Sequence, residues 1–253
     1  MFDLRLISAD LLKLRRRRGM LAIAIALTIG TVLLAFGVMA IQHGSNPIKH
    51  GPAGGLVNFQ DAIGFETLMA IVAGVIVGTT AGAQDLESGV FRDLVATGRS
   101  RMALFGARAP AAWVILVPIC AATAAIAGLA SVALAGALPT PGGVALIAGT
   151  IAVVTAGALS AVVAVGLSAL VGSRGPVIGI MLAFSLVIEQ VLQHVSFLGN
   201  VREALPSVAL NRIADLPPLE QLNPALWTAV VVLLAWAAAA LGIGAWRTRT
   251  REI

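Results

Sequence analysis

Residues 83–101 read AQDLESGVFRDLVATGRSR and hold a dense set of side chains able to form ion pairs and hydrogen bonds: Asp85, Glu87, Ser88, Arg92, Asp93, Arg99, Ser100 and Arg101. Coiled as a helix, Leu86, Val90, Leu94 and Val95 make a short apolar stripe, with Asp85, Glu87, Arg92 and Asp93 opposite it and Thr97-Gly98 as a stop. That pattern suits docking and the transmission of a push better than bond chemistry. Its plainer alternative is an interfacial helix packed only on its own protein. Elsewhere the signatures of catalysis fail. A P-loop needs lysine after glycine, but Lys13 follows Leu12 and Lys49 follows Ile48. His43, His50 and His194 are scattered and lack metal-ligand spacing. No G-x-S-x-G serine has a plausible His and Asp partner. Asn223-Pro224-Ala225 reads as a helix N-cap followed by proline at the first helical position. The chain reads as a non-enzyme with no cofactor or metal of its own.

The elements around this insert are membrane spans. The 253 residues are 58% hydrophobic and 11% charged, against about 25% charged in soluble domains. A bilayer core needs roughly 20 apolar residues per helix, and six runs qualify: 20–41, 62–82, 109–138, 144–171, 177–193 and 224–246. Pro110 and Pro118 open the third, with a kink expected at Pro118. Six spans put both termini on one side, and fourteen of the 17 Lys and Arg fall there; Lys49, Arg202 and Arg212 fall on the other. That bias places both termini in the cytoplasm. The 22-residue first run and its leader with Asp3 and Asp10 read as a retained span rather than a cleaved signal. Without tyrosine or a basic face interleaved with aromatics, nucleic acid is not an expected partner. Cys120 reads as a buried small hydrophobe.

The N-terminal segment carries Leu4, Ile7, Leu11 and Leu14 on one side and ends in Arg15–Arg18, the pattern of an amphipathic helix in the headgroup layer. Gly74, Gly78 and Gly82 fall on one face of the second span and permit close backbone approach. The central stretches of all six spans lack ionisable residues, which argues against an ion-coupled carrier. Glu66 and Glu189 lie toward the outer ends of spans two and five and, with Pro206, are candidate contacts for an outer gate or a solute. Segment 194–223 is too long and too apolar for a free loop, so two short helices dipping back into the outer leaflet are expected there.

The insert resembles the permease subunits of type-2 ATP-binding-cassette transporters, in which a segment of the form E-x-E-S-G-T-x-R, then L-L-x-T-P-x-S-R, follows span two. Asp85, Glu87, Ser88, Gly89, Arg92, Leu94, Val95, Thr97, Ser100 and Arg101 match. Asp85 stands where Glu is usual, Val90 where Thr is usual, and Gly98 where Pro is common. The elbow LLKLRRRR and the proline-centred outer segment 201–218 are similar to the same family. The resemblance implies an all-α membrane protein of three parts. Residues 1–19 form a cytoplasmic elbow helix and residues 20–246 a single six-span domain, with coupling segment 83–108 and outer re-entrant segment 194–223. Residues 247–253 form a cytoplasmic tail. It further implies an exporter permease in the cell membrane, working with a second permease copy or homologue, membrane lipid and separate cytoplasmic ATPase subunits that hold ATP and Mg. Asp85, Glu87, Gly89, Val90, Arg92, Leu94, Arg99 and Arg101 would contact the ATPase. The rival is a channel or secondary carrier that needs no ATPase, and a neighbouring ATPase reading frame would separate the two.

Overall fold

The computed structural model describes residues 4–218 and 222–250. Asp3, Arg251 and the end of the 247–253 tail, used in the reading above, lie outside the described residues. An amphipathic helix, α1 (Leu4–Arg16), precedes the first span. The spans are α2 (Arg18–Ser45), α3 (Leu56–Glu87), α5 (Arg101–Ala133), α6 (Gly143–Val171), α7 (Arg174–Gln193) and α9 (Leu226–Thr250), six helices long and apolar enough to cross a bilayer. The short α4 (Val90–Ala96) lies between α3 and α5, and α8 (Pro206–Ile213) lies between α7 and α9. The protein is an all-helical, multi-pass membrane protein. No strand forms among the described residues.

Several helices begin earlier or run longer than hydropathy marks, because polar residues that do not break a helix simply extend it. α3 continues five residues past the apolar run and stops at Ser88-Gly89, where Gly89 takes φ 75°, a left-handed conformation that glycine adopts without strain. α5 begins at Arg101 rather than residue 109, so Pro110 falls inside an unbroken helix, as does Pro118. At α9 the expected cap moves. Asn223 and Pro224 are not helical, and the Ala229 N–H bonds the Ala225 carbonyl. The Pro224 carbonyl accepts instead from Arg212 Nε at 3.1 Å, which ties the approach to α9 to the end of α8.

α3 and α6 form the centre. With lipid as apolar as the side chains, helices in a membrane associate by close packing rather than by hydrophobic expulsion, and the glycine face of α3 supplies it. A Cβ added at Gly74 would fall 2.5 Å from the Gly157 carbonyl oxygen, and one at Gly78 would fall 2.6 Å from Ala161 backbone. One at Gly82 would meet the Ser168 Cβ at 2.6 Å. On the opposite side of α6, Gly166 lies against the backbone of α9 at Ala240.

α1 folds onto this bundle. Leu14 is buried among Met20, Ala111 and Leu116, with Ile7 and Leu11 packed at its edge, whereas Leu4 remains exposed. On the other end, residues 196–213 form two short helical pieces: a 3₁₀ stretch Ser196–Ala204, kinked at Gly199, and α8 with Pro206 at its first position. Ala209 and Leu210 of α8 join the core with Ala229 and Leu233 of α9.

The α3–α6 contact yields a direct expectation. Gly78→Leu forces a side chain into backbone that cannot yield locally, and overpacking of this kind destabilises by about 1–3 kcal/mol or more. Thermal unfolding of the detergent-purified protein should show a clear loss for Gly78→Leu and almost none for Gly106→Leu, whose added Cβ meets nothing within 4 Å. Equal midpoints for the two would sink this account of the packing.

Candidate functional site

Two polar regions stand out, one at each end of α3. At the end shared with α1, Asp85 on the last turn of α3 accepts from Lys13 Nζ at 2.9 Å, and Lys13 also reaches Asp10 at 3.1 Å. The side chain of Lys13 is 37% exposed and that of Asp85 13%. Burial opposes the Lys13 charge, but hydrogen bonds to Asp85 and Asp10 and their negative charges outweigh it, so its pKa lies above the ordinary lysine value. The pKa of Asp10 is raised as well, chiefly by burial and against the pull of Lys13. Lys13 is thus held by both carboxylates, the shorter contact being to Asp85.

Two residues farther along, Glu87 binds the start of α7 twice. Its Oε2 accepts from Arg174 Nε at 2.6 Å and its Oε1 from the Arg174 backbone N–H, where a carboxylate also meets the positive end of the helix. A third tie is wholly buried. Arg108 of α5, 2% exposed, donates from Nη1 to the Gly82 carbonyl at 2.8 Å. Its guanidinium carbon also lies 5.2 Å from the centre of the Phe91 ring of α4, within cation–π range. The insert is thus strapped to α1, α7 and α5.

The stripe expected along one continuous helix is divided. Gly89 ends α3 and resets the helical phase, so Leu86 belongs to α3 and Phe91 is the residue that α4 buries. Val90 is 39% exposed, and Gly89 and Arg92 are also exposed. Leu94 is half-buried. Arg99 is exposed beyond the Gly98 turn, and Arg101 is half-buried at the start of α5. Asp85 and Glu87 were legible as site residues, whereas their partners Lys13 and Arg174 and the pairing of Arg108 with Phe91 were not. An arginine embedded eight residues into what became an apolar helix was the available signal.

At the other end of α3 a cleft of about 550 Å³ opens between α3, α7 and α8, lined among others by Gln60, Asp61, Glu189, Gln193, Ser207 and Asn211. Glu189 Oε1 accepts from the Ser207 N–H at 2.6 Å, Gln193 donates to Ser207 Oγ, and Arg202 Nη1 donates to the Gln193 carbonyl at 2.9 Å. These bonds fix the start of α8 to the end of α7. Pro206 and Glu189 also border an apolar pocket of about 230 Å³ with Met181, Phe184 and Trp236. Glu66 does not join them. It is 1% exposed and faces α2, where Thr31 Oγ1 lies 2.9 Å from its Oε1. Among the described residues, no three His, Cys, Asp or Glu side chains come together as a metal site.

The family described as "ABC-2 family transporter protein" matches residues 6–190, a stretch that runs from α1 into the last turn of α7 and takes in the whole strapped insert. Among curated proteins none matches the chain.

The Lys13–Asp85 tie can be measured. Lys13→Met strands two carboxylates in a partly buried setting, with an expected loss of about 1–3 kcal/mol. Adding Asp85→Asn should restore part of it. Strictly additive losses in thermal unfolding would mean that the two side chains do not interact.

Proposed function

Because the chain belongs to the ABC-2 transporter family, we propose that it is the membrane-spanning permease of an ATP-driven exporter whose ATPase is a separate subunit. Permeases of this family generally pair with ATP-binding-cassette ATPases and are themselves non-catalytic, which agrees with a chain that contains no glycine-lysine P-loop. ATP and Mg would then be held by the ATPase. A second permease copy or homologue completes the pathway, and the positive-inside bias puts both termini and the insert in the cytoplasm.

The observation that carries this reading is the strapping of the insert. α4 is seven residues long and could not hold a conformation alone. Gly89 and Gly98, at φ 75° and 85°, turn the chain at both of its ends, and Phe91 under Arg108 fixes its inner side. Val90, Arg92 and part of Leu94 are left facing outward, as a docking surface requires. A push on that surface reaches α3 directly, and through Glu87, Lys13 and Arg108 it reaches α7, α1 and α5. ATPase closure biases the insert between two positions, and the coupling is reciprocal: solute binding must alter ATP turnover as ATP alters solute binding. The outer cleft beside Glu189, Ser207 and Asn211 is the exit of the route.

Leu94→Asp places a carboxylate in the proposed ATPase contact, which costs about 1–3 kcal/mol. Since about 1.4 kcal/mol is a factor of ten, ATPase retention on membranes and solute-stimulated turnover should both fall roughly tenfold, with insertion unchanged. Normal transport with the ATPase still bound would reduce the insert to a solvated linker.

Sidedness has its own check. In a Cys120→Ala background, Ser45→Cys and Asn200→Cys should react with an impermeant thiol reagent from outside. Ser100→Cys should react only after permeabilisation. Outside labelling at Ser100 would invert the topology and remove the coupling role.

A further inference from the structure

The arginines that begin α2 and α7 share a groove. Arg17 breaks the chain between α1 and α2, with φ −85° and ψ 72°, and Arg174 is the first residue of α7. Each therefore stands where its span meets the headgroup layer. They line one opening of about 590 Å³ whose walls, one turn deeper, are Met20 and Ile23 of α2 and Ile178 of α7, with Ile76 and Thr80 of α3 as the floor. Glu87 stands at the mouth and holds Arg174 by Nε and by its backbone N–H. Arg17 attracts Glu87 electrostatically across the mouth, and among the described residues neither the Arg17 guanidinium nor the Nη groups of Arg174 donate a hydrogen bond to protein. Two arginines and one glutamate leave the mouth with a net charge of +1, above an apolar slot that α2 and α7 leave open: Ile23 is 50% exposed.

We propose that this groove is a binding site for an anionic phospholipid, with the phosphodiester between Arg17 and Arg174 and an acyl chain along Met20, Ile23 and Ile178. Two features match that occupant in order of depth. A guanidinium pairs with phosphate through two parallel hydrogen bonds, and one phosphodiester brings the mouth to neutrality. Glu87 already takes the first N–H of α7, so the two guanidinium groups are what the mouth offers an anion. The slot beneath is apolar, so a soluble anion leaves it unfilled where a lipid chain fills it. Basic pockets between spans are general sites for acidic headgroups. The consequence for the chain is specific: the lipid bridges α2 to α7 beside the Glu87–Arg174 tie, at the point where the insert meets the span it would move. This site does not depend on the ATPase assignment.

The test uses the full chain in nanodiscs of equal phosphatidylglycerol and phosphatidylcholine, released for native mass spectrometry. The wild type should retain phosphatidylglycerol in preference to phosphatidylcholine. Arg17→Gln, which breaks no protein hydrogen bond, should cut that preference about fivefold, since each basic residue near an acidic headgroup contributes roughly that factor. The Arg17→Gln/Arg174→Gln pair should abolish it. Arg15→Gln/Arg16→Gln removes equal charge from exposed positions on α1 and should leave the preference intact. Equal loss in that control would show a diffuse basic surface and overturn the site. Thermal stabilisation by dissolved glycerol 3-phosphate equal to that by the lipid would assign the site to a free phosphate and overturn it as well. So would disulfide formation between two copies at Ile23→Cys, in a Cys120→Ala background, at a yield unaffected by phosphatidylglycerol, because a second copy would then fill the groove.

Discussion

Everything in this bundle depends on how closely α3 approaches α6. In hydrocarbon there is no gain from hiding apolar surface, so only contacts that beat the lipid's own van der Waals contacts hold two helices together. Glycines at 74, 78 and 82 provide that by letting backbone touch backbone. Once α3 is seated, its 32 residues form a rod of about 48 Å at 1.5 Å per residue, longer than the hydrocarbon thickness. Its two ends are therefore forced out of the apolar layer, and the polar chemistry of the protein gathers at those ends.

The third glycine has a second effect. The Gly82 carbonyl accepts from Arg108 Nη1 at 2.8 Å. The same arginine presents its face to Phe91. Close packing and the placement of the insert thus meet at one residue: Gly82 touches α6 and accepts from Arg108.

Six spans, an amphipathic leader and a charged insert after span two were legible because each rests on periodicity or on apolar length. Pairings were not. Leu86, Val90, Leu94 and Val95 look like one stripe only if the helix is continuous, and a single left-handed glycine at position 89 shifts the phase so that Phe91 turns inward. Glu66 read as an outer-end group because the apolar run starts at residue 62. The helix begins at Leu56, and side chains from α2 close over the carboxyl. Lys13 lies 72 residues from Asp85, and Arg174 lies 87 from Glu87. Separations of that size leave no local trace in one sequence, whereas the Gly ladder, with its four-residue period, does.

The three straps on the insert differ in burial, and that difference orders their strength. Arg108 is sealed from water at 2% exposure, so water cannot take over its bond to the Gly82 carbonyl. Lys13–Asp85 is intermediate. Arg174 and Glu87, 38% and 28% exposed, form a pair that water can replace, and such pairs are worth about 1 kcal/mol or less. Of the three contacts, the one between α3 and α7 is therefore the easiest to part. At the far end of α3, the cleft beside Glu189 is bounded by those same two helices. The weakest of the three ties at one end of α3 and the cleft of about 550 Å³ at its other end fall on one helix pair, so a small separation of α3 from α7 would change both at once.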